Sequence, residues 1–138
     1  MNDDEFLKAF EDCTYPRDDW KHKAHVRMAW LYLSRHAFEV GLLKIREGIK
    51  RYNACSDNHG YKETETQFFV RMIHFKMIRS KVYEFEAFCL QNGDLFASHP
   101  PLRAKYYSDQ VWRSEAAIHE FVEPDLFPLP DISYQNFN

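Results

Sequence analysis

The chain has 138 residues, 45% of them apolar and 28% charged, which suits one folded globular domain and leaves little room for a second. Its net charge is −3 with the basic residues scattered, which argues against nucleic-acid binding, because such a surface needs a basic stripe to displace counterions from phosphates. No run approaches the ~18 apolar residues that suggest a membrane span.

The acidic N-terminus, MNDDEFLKAFEDC, lacks the basic-then-apolar layout of a signal peptide. The three cysteines, Cys13, Cys55 and Cys89, are odd in number, far apart and without a C-x-x-C, so no disulfide framework is expected and a reducing, cytoplasmic setting is favoured. Twelve Phe, eight Tyr and three Trp make 17% of the chain. The core must therefore be built largely from rings, whose OH and NH groups need partners.

A first helix is predicted over residues 3–13. Asn2 or Asp3 can cap it, acids fill its first turn, and Phe6, Leu7, Phe10 and Cys13 form one stripe. Pro16 disfavours helix in the residue before it and ends this element. A second helix is predicted over residues 21–37 with Val26, Trp30, Leu33 and Ala37 as its apolar stripe. Beside that stripe runs another, His22, His25, Ala29, Tyr32 and His36, at steps of three and four, so these side chains share a face.

The third helix, residues 38–53, carries Leu42, Ile45, Ile49 and Tyr52 on one face, with the basic residues of 44–51 read as a solvated face. Ser56-Asp57-Asn58-His59-Gly60 is a dense run of turn formers. A long helical region follows from 63 towards 91, closed by Asn92-Gly93 and divisible near Arg79-Ser80-Lys81. Its core stripe is Phe69, Met72, Ile73 and Met77. Beyond Gly93, Ser108 and Ser114 read as caps of short helices, and residues 123–130 as an ordered, Pro-rich arm lying across the domain through Leu126, Phe127 and Leu129. The sum is an all-α single domain over 1–138, a bundle of four to five main helices with short C-terminal helices.

His22 and His25 form H-x-x-H at a helix start, which places two imidazoles one turn apart on one face, close enough to share a divalent metal. Such a site needs at least a third protein ligand, and Glu63, opening another helix after a turn, is the best candidate. Two His and one carboxylate suit Fe(II), Zn(II) or Mn(II). The bland alternative has one His exposed at the helix start and the other hydrogen-bonded in the core. Thr64 with Gln67 fits a capping box. On a helix Glu63, Thr66, Gln67, Val70 and His74 share a side, although His74 reads better as a core histidine. Tyr106 and Tyr107 precede a short helix and have hydroxyls able to orient a substrate, with aromatic packing as the other use for at least one. No G-x-S-x-G, Walker loop, G-x-G-x-x-G or H-E-x-x-H occurs, and Cys55 and Cys89 have no basic neighbour that marks a nucleophilic thiol.

Three segments also carry a resemblance. Trp20-Lys21-His22-Lys23-Ala24-His25-Val26-Arg27-Met28-Ala29-Trp30-Leu31-Tyr32-Leu33 is similar to W-x-H-x-x-H-(L/V)-R-x-A-W-L-Y-L, and Tyr61-Lys62-Glu63-Thr64-Glu65-Thr66-Gln67-Phe68 to Y-H-E-T-x-T-x-(F/W). Tyr106-Tyr107-Ser108, Ser114-Glu115-Ala116-Ala117 and the Pro124-Asp125-Leu126-Phe127-Pro128-Leu129-Pro130 arm complete the pattern. The chain resembles, over residues 20–130, a family of small uncharacterised bacterial proteins. The resemblance implies that His22, His25, Glu63 and Thr66 belong to one site. Lys62 stands where the pattern has His and Ala117 where it has Arg, and a lysine beside the site opposes a bound cation.

Three functions follow. One is a metal-assisted small-molecule enzyme with His22, His25 and Glu63 as ligands and Glu63, Thr66, Tyr106 and Tyr107 serving catalysis or substrate orientation. Another is a metal-free small-molecule pocket in which a histidine acts as general base and Glu63 orients it, or a binding-only version of that pocket. The third is a helical interaction module without catalytic activity.

Overall fold

The computed structural model describes residues 1–131. Among these the chain is all-α, with seven α-helices, short 3-10 turns and no strand. No helix of the described residues is long and apolar enough to cross a membrane. The chain forms two compact units, Met1–Tyr61 and a second beginning at Lys62.

The first unit opens with α1 (Asp3–Glu11). Asn2 Oδ1 accepts from Glu5 N at 2.8 Å and Glu5 Oε1 from Asn2 N at 3.0 Å, a reciprocal capping box, and the three acids of the first turn suit the positive end of the helix dipole. The helix stops before Cys13, which takes a left-handed φ of 64°, while Thr14 N and Tyr15 N both return to Ala9 O. Next come α2 (His22–Arg35) and α3 (Phe38–Ala54), separated by His36-Ala37 alone and packed as a helical hairpin.

Rings lock α1 against α3. Phe10, fully buried, stacks on Trp20 with centroids 5.0 Å apart and lies 5.6 Å from Tyr52. The Tyr52 hydroxyl donates to Tyr15 O at 2.5 Å, and the Arg17 guanidinium covers the Tyr52 ring at 3.9 Å while donating to the Tyr52 carbonyl. Cys13 and Cys55, at the ends of α1 and α3, are joined in a disulfide with Cα atoms 6.4 Å apart. This corrects the expectation that disulfides play no part. The two cysteines are 42 positions apart, and only the packing of α1 on α3 makes them neighbours.

In the second unit α4 (Glu63–Ser80) ends where Lys81 adopts a left-handed φ of 52°, so the divisible long helix is two helices, the other being α5 (Phe85–Gln91). Glu84 caps α5 by accepting from Glu86 N and Ala87 N, both at 3.0 Å. Ser108 and Ser114 cap α6 (Asp109–Trp112) and α7 (Glu115–His119) through Val111 N and Ala117 N, as expected. Met72, Ile73 and Met77 are core, but Phe68 rather than Phe69 is the fully buried ring of α4. Around Phe68 stand Tyr106, Tyr107 and Trp112 with centroids 5.5–5.8 Å away. The arm is held by Leu126 N on Tyr106 O at 2.9 Å and by Asp125, whose Oδ1 accepts from Ser108 N at 2.9 Å. Leu126 and Phe127 stay largely exposed, although the Phe127 ring lies 6.2 Å from that of Tyr106, and Leu129 is half-buried, so apolar contacts anchor the arm only in part.

Gly48 lies on α3 where a Cβ would sit 2.6 Å from the Phe10 ring. A Gly48→Ala change gains about 1 kcal/mol of helix propensity but overpacks a ring held on two sides, a loss of about 1–3 kcal/mol. Urea unfolding should therefore show a net destabilisation of roughly 1 kcal/mol. A raised midpoint would mean that Phe10 moves aside freely.

Candidate functional site

His22 is the first residue of α2 and is exposed, while His25 one turn later is half-buried. The His25 ring lies on the Trp20 ring with centroids 4.0 Å apart, and its Nδ1 is 2.8 Å from the Lys21 carbonyl oxygen. A carbonyl only accepts, so Nδ1 carries the hydrogen and Nε2 keeps the basic lone pair. Burial pushes the His25 pKa below its ordinary value, the Lys21 carbonyl opposes this by favouring the charged ring, and His22 adds a further lowering.

Glu63, Thr66, Tyr106 and Tyr107 belong to the second unit. Glu63 is buried at the start of α4, where its Oε2 accepts from Gln67 Nε2 at 3.1 Å. Gln67 Oε1 in turn accepts from Arg71 Nη2 at 3.2 Å, giving a polar ladder at steps of four along α4. Thr66 is half-buried, and its backbone N donates to Lys62 O at 3.1 Å. His74 is fully buried, which agrees with a core histidine.

The Thr64–Gln67 capping box does not form, because the cap of α4 is Lys62 and the Thr64 hydroxyl is used elsewhere. It donates to Glu120 O at 2.6 Å and accepts from Val122 N at 2.9 Å. Tyr107 donates to Val122 O at 2.6 Å, so its hydroxyl holds the segment after α7. The Tyr106 ring packs on Phe68 and on Phe127. Burial raises the pKa of both tyrosines. Among the described residues no three His, Cys, Asp or Glu side chains come together in a group that could hold a metal ion.

The first unit also contains a cleft of about 410 Å³ with walls from all three of its helices. From α2 come Tyr32 and, at the helix end, His36, the lower half of the polar stripe read from the sequence, together with Arg35, which that stripe did not include. From α1 come Asp4, Lys8 and Glu11, and from α3 Lys44. The Tyr32 hydroxyl donates to Glu11 Oε2 at 2.6 Å, and burial together with that carboxylate raises its pKa strongly. Asp4 pairs with Arg35 at 2.8 Å. Sequence reasoning missed the α1 and α3 walls. Asp4, Lys8 and Glu11 do recur at steps of four and three along α1, but nothing in that spacing says which helix they face.

No family model, curated protein or solved structure matches this chain.

Two outcomes are expected from this geometry. Thr64→Val removes the hydrogen-bond partner of the part-buried Glu120 carbonyl and Val122 amide and should destabilise the protein by about 1 kcal/mol in urea unfolding, with Thr64→Ser close to the parent; equal losses for both would assign the effect to packing. For His25, an NMR titration should give a midpoint below its ordinary 6.5 and the Nδ1–H tautomer at neutral pH. The unfolded chain then binds the proton more tightly, so this residue's contribution is present above pH 6.5 and is lost as the pH falls through 6.5 to the lowered native value. A midpoint at or above 6.5 would contradict the assignment.

Proposed function

We propose that this chain is a small-molecule-binding protein that works without a resident metal, with the cleft of the first unit as its site. The observation that carries the reading is the 2.6 Å bond from Tyr32 to Glu11 inside a cleft of about 410 Å³. That volume lies in the ~300–1,000 Å³ range of small-ligand sites. Few convergent polar groups set orientation in such sites, and a buried tyrosine held by a carboxylate is one of them. His36 supplies the imidazole of the metal-free reading, at the end of α2 beside Tyr32 with ring centroids 6.3 Å apart. The motif matches over residues 20–130 support placing the chain with the small bacterial proteins it resembles.

A second reading, the metal-assisted enzyme with His22, His25 and Glu63 as ligands for Fe, Zn or Mn, draws support from one observation. The Nδ1–H of His25 is fixed by a backbone carbonyl, which is how metal-binding histidines are commonly oriented.

The two separate on tag-free protein. Under the first reading metal content is sub-stoichiometric, Zn(II), Mn(II) and Fe(II) leave the melting temperature unchanged, and an NMR fragment screen finds ligands that shift Tyr32 and Arg35. Tyr32→Phe then weakens those ligands roughly two- to tenfold. Stoichiometric metal that is lost in the His22→Ala, His25→Ala double variant would establish the second reading instead. Fragments that never perturb the cleft would sink the first.

A further inference from the structure

From the charges around the cleft, and resting on its reading as a ligand site, we infer that its ligand is a small polar oxyanion, a carboxylate or a phosphate, held between Arg35 and Lys44. Both carboxylates of the cleft are already engaged by groups of the same unit. Glu11 Oε2 receives the Tyr32 hydroxyl at 2.6 Å, and Asp4 Oδ1 receives Arg35 Nη1 at 2.8 Å. A cationic ligand meeting Asp4 or Glu11 would share a carboxylate whose charge is already partly offset by Arg35 or whose oxygen already accepts from Tyr32.

The donors are in the opposite position. A guanidinium has five N–H groups, and the Asp4 contact is made through Nη1, so other N–H groups of the planar fork can serve a second oxyanion. The exposed Lys44 ammonium has no ion pair with a carboxylate among the described residues. By contrast the other cleft ammonium, Lys8, is held by Asp12 at 2.9 Å. The charges of Arg51 on α3 and of Arg35 also act on the Tyr32 hydroxyl, against the larger opposite effect of Glu11.

Size and polarity narrow the class further. Leu7 is the one aliphatic side chain among the lining residues, beside the rings of Tyr32 and His36, so the cleft has little surface for a long hydrocarbon chain. What it fits is a compact anion with two or three oxygens facing Arg35 and Lys44. Both a carboxylate and a phosphate present that chemistry.

The test is an NMR titration of the full chain at constant ionic strength with inorganic phosphate, acetate and, as the cation, methylammonium. Phosphate or acetate should shift Tyr32 and Arg35 saturably, and the tighter of the two identifies the source of the oxyanion. Lys44→Gln and Arg35→Lys should each weaken that binding roughly tenfold or more. Both positions are solvent-exposed, and an unchanged melting temperature confirms that each variant is folded. Saturable binding of methylammonium in the cleft with both anions inert would overturn the oxyanion while leaving the cleft a ligand site. Anion shifts that persist unchanged in both variants would also overturn it. If none of the three probes, nor any fragment of the broader screen, perturbs the cleft, the ligand-site reading fails and the oxyanion with it.

Discussion

Phe10 meets α3 where that helix presents the bare backbone of Gly48, and is closed in from the sides by Trp20 and Tyr52. A ring wedged in this way leaves α1 one position along α3, because interiors pack at crystal-like density and do not slide. The consequences spread through the first unit. The end of α1 comes within disulfide distance of the end of α3, and the opposite side of α1 presents Glu11 to Tyr32 and Asp4 to Arg35. The cleft is therefore a by-product of how an aromatic core seats one short helix.

In the second unit polar side chains do structural work at positions where a sequence reader looks for chemistry. The N-terminal turn of α4 is rich in hydroxyl, carboxylate and amide groups, yet Thr64 spends both hydrogen-bonding capacities of its hydroxyl on the chain segment after α7. Tyr107 does the same with Val122. Beyond the Glu120 amide, which bonds back to Ala116, the part-buried segment Glu120–Val122 has no helix or sheet to satisfy its backbone and finds partners in side chains. The motif Y-x-E-T-x-T and the Tyr-Tyr-Ser motif are accordingly tied to one another through this segment.

The polar stripe of α2 divides on inspection. His22 is in solvent, His25 has become part of the aromatic cluster through Trp20, and Tyr32 with His36 lines the cleft. Residues on one helical face thus have three different environments, because the helix is longer than any single neighbour covers. A face shared at steps of three and four is a statement about direction and not about what lies opposite.

What could be read from the residues alone was whatever depends on near neighbours in the chain. Helix starts at Asn2, Ser108 and Ser114 follow from side chains that reach amides three positions on, and the break near Lys81 from the end of a local periodicity. The all-α class, the apolar stripes and the burial of His74 come from the same short-range rules. The Cys13–Cys55 pairing, the true use of Thr64 and the α1 wall of the cleft required the tertiary structure. Each joins groups separated by 21 to 58 positions. Over such distances the partner is chosen by how helices pack, and the order of residues along the chain does not express that choice.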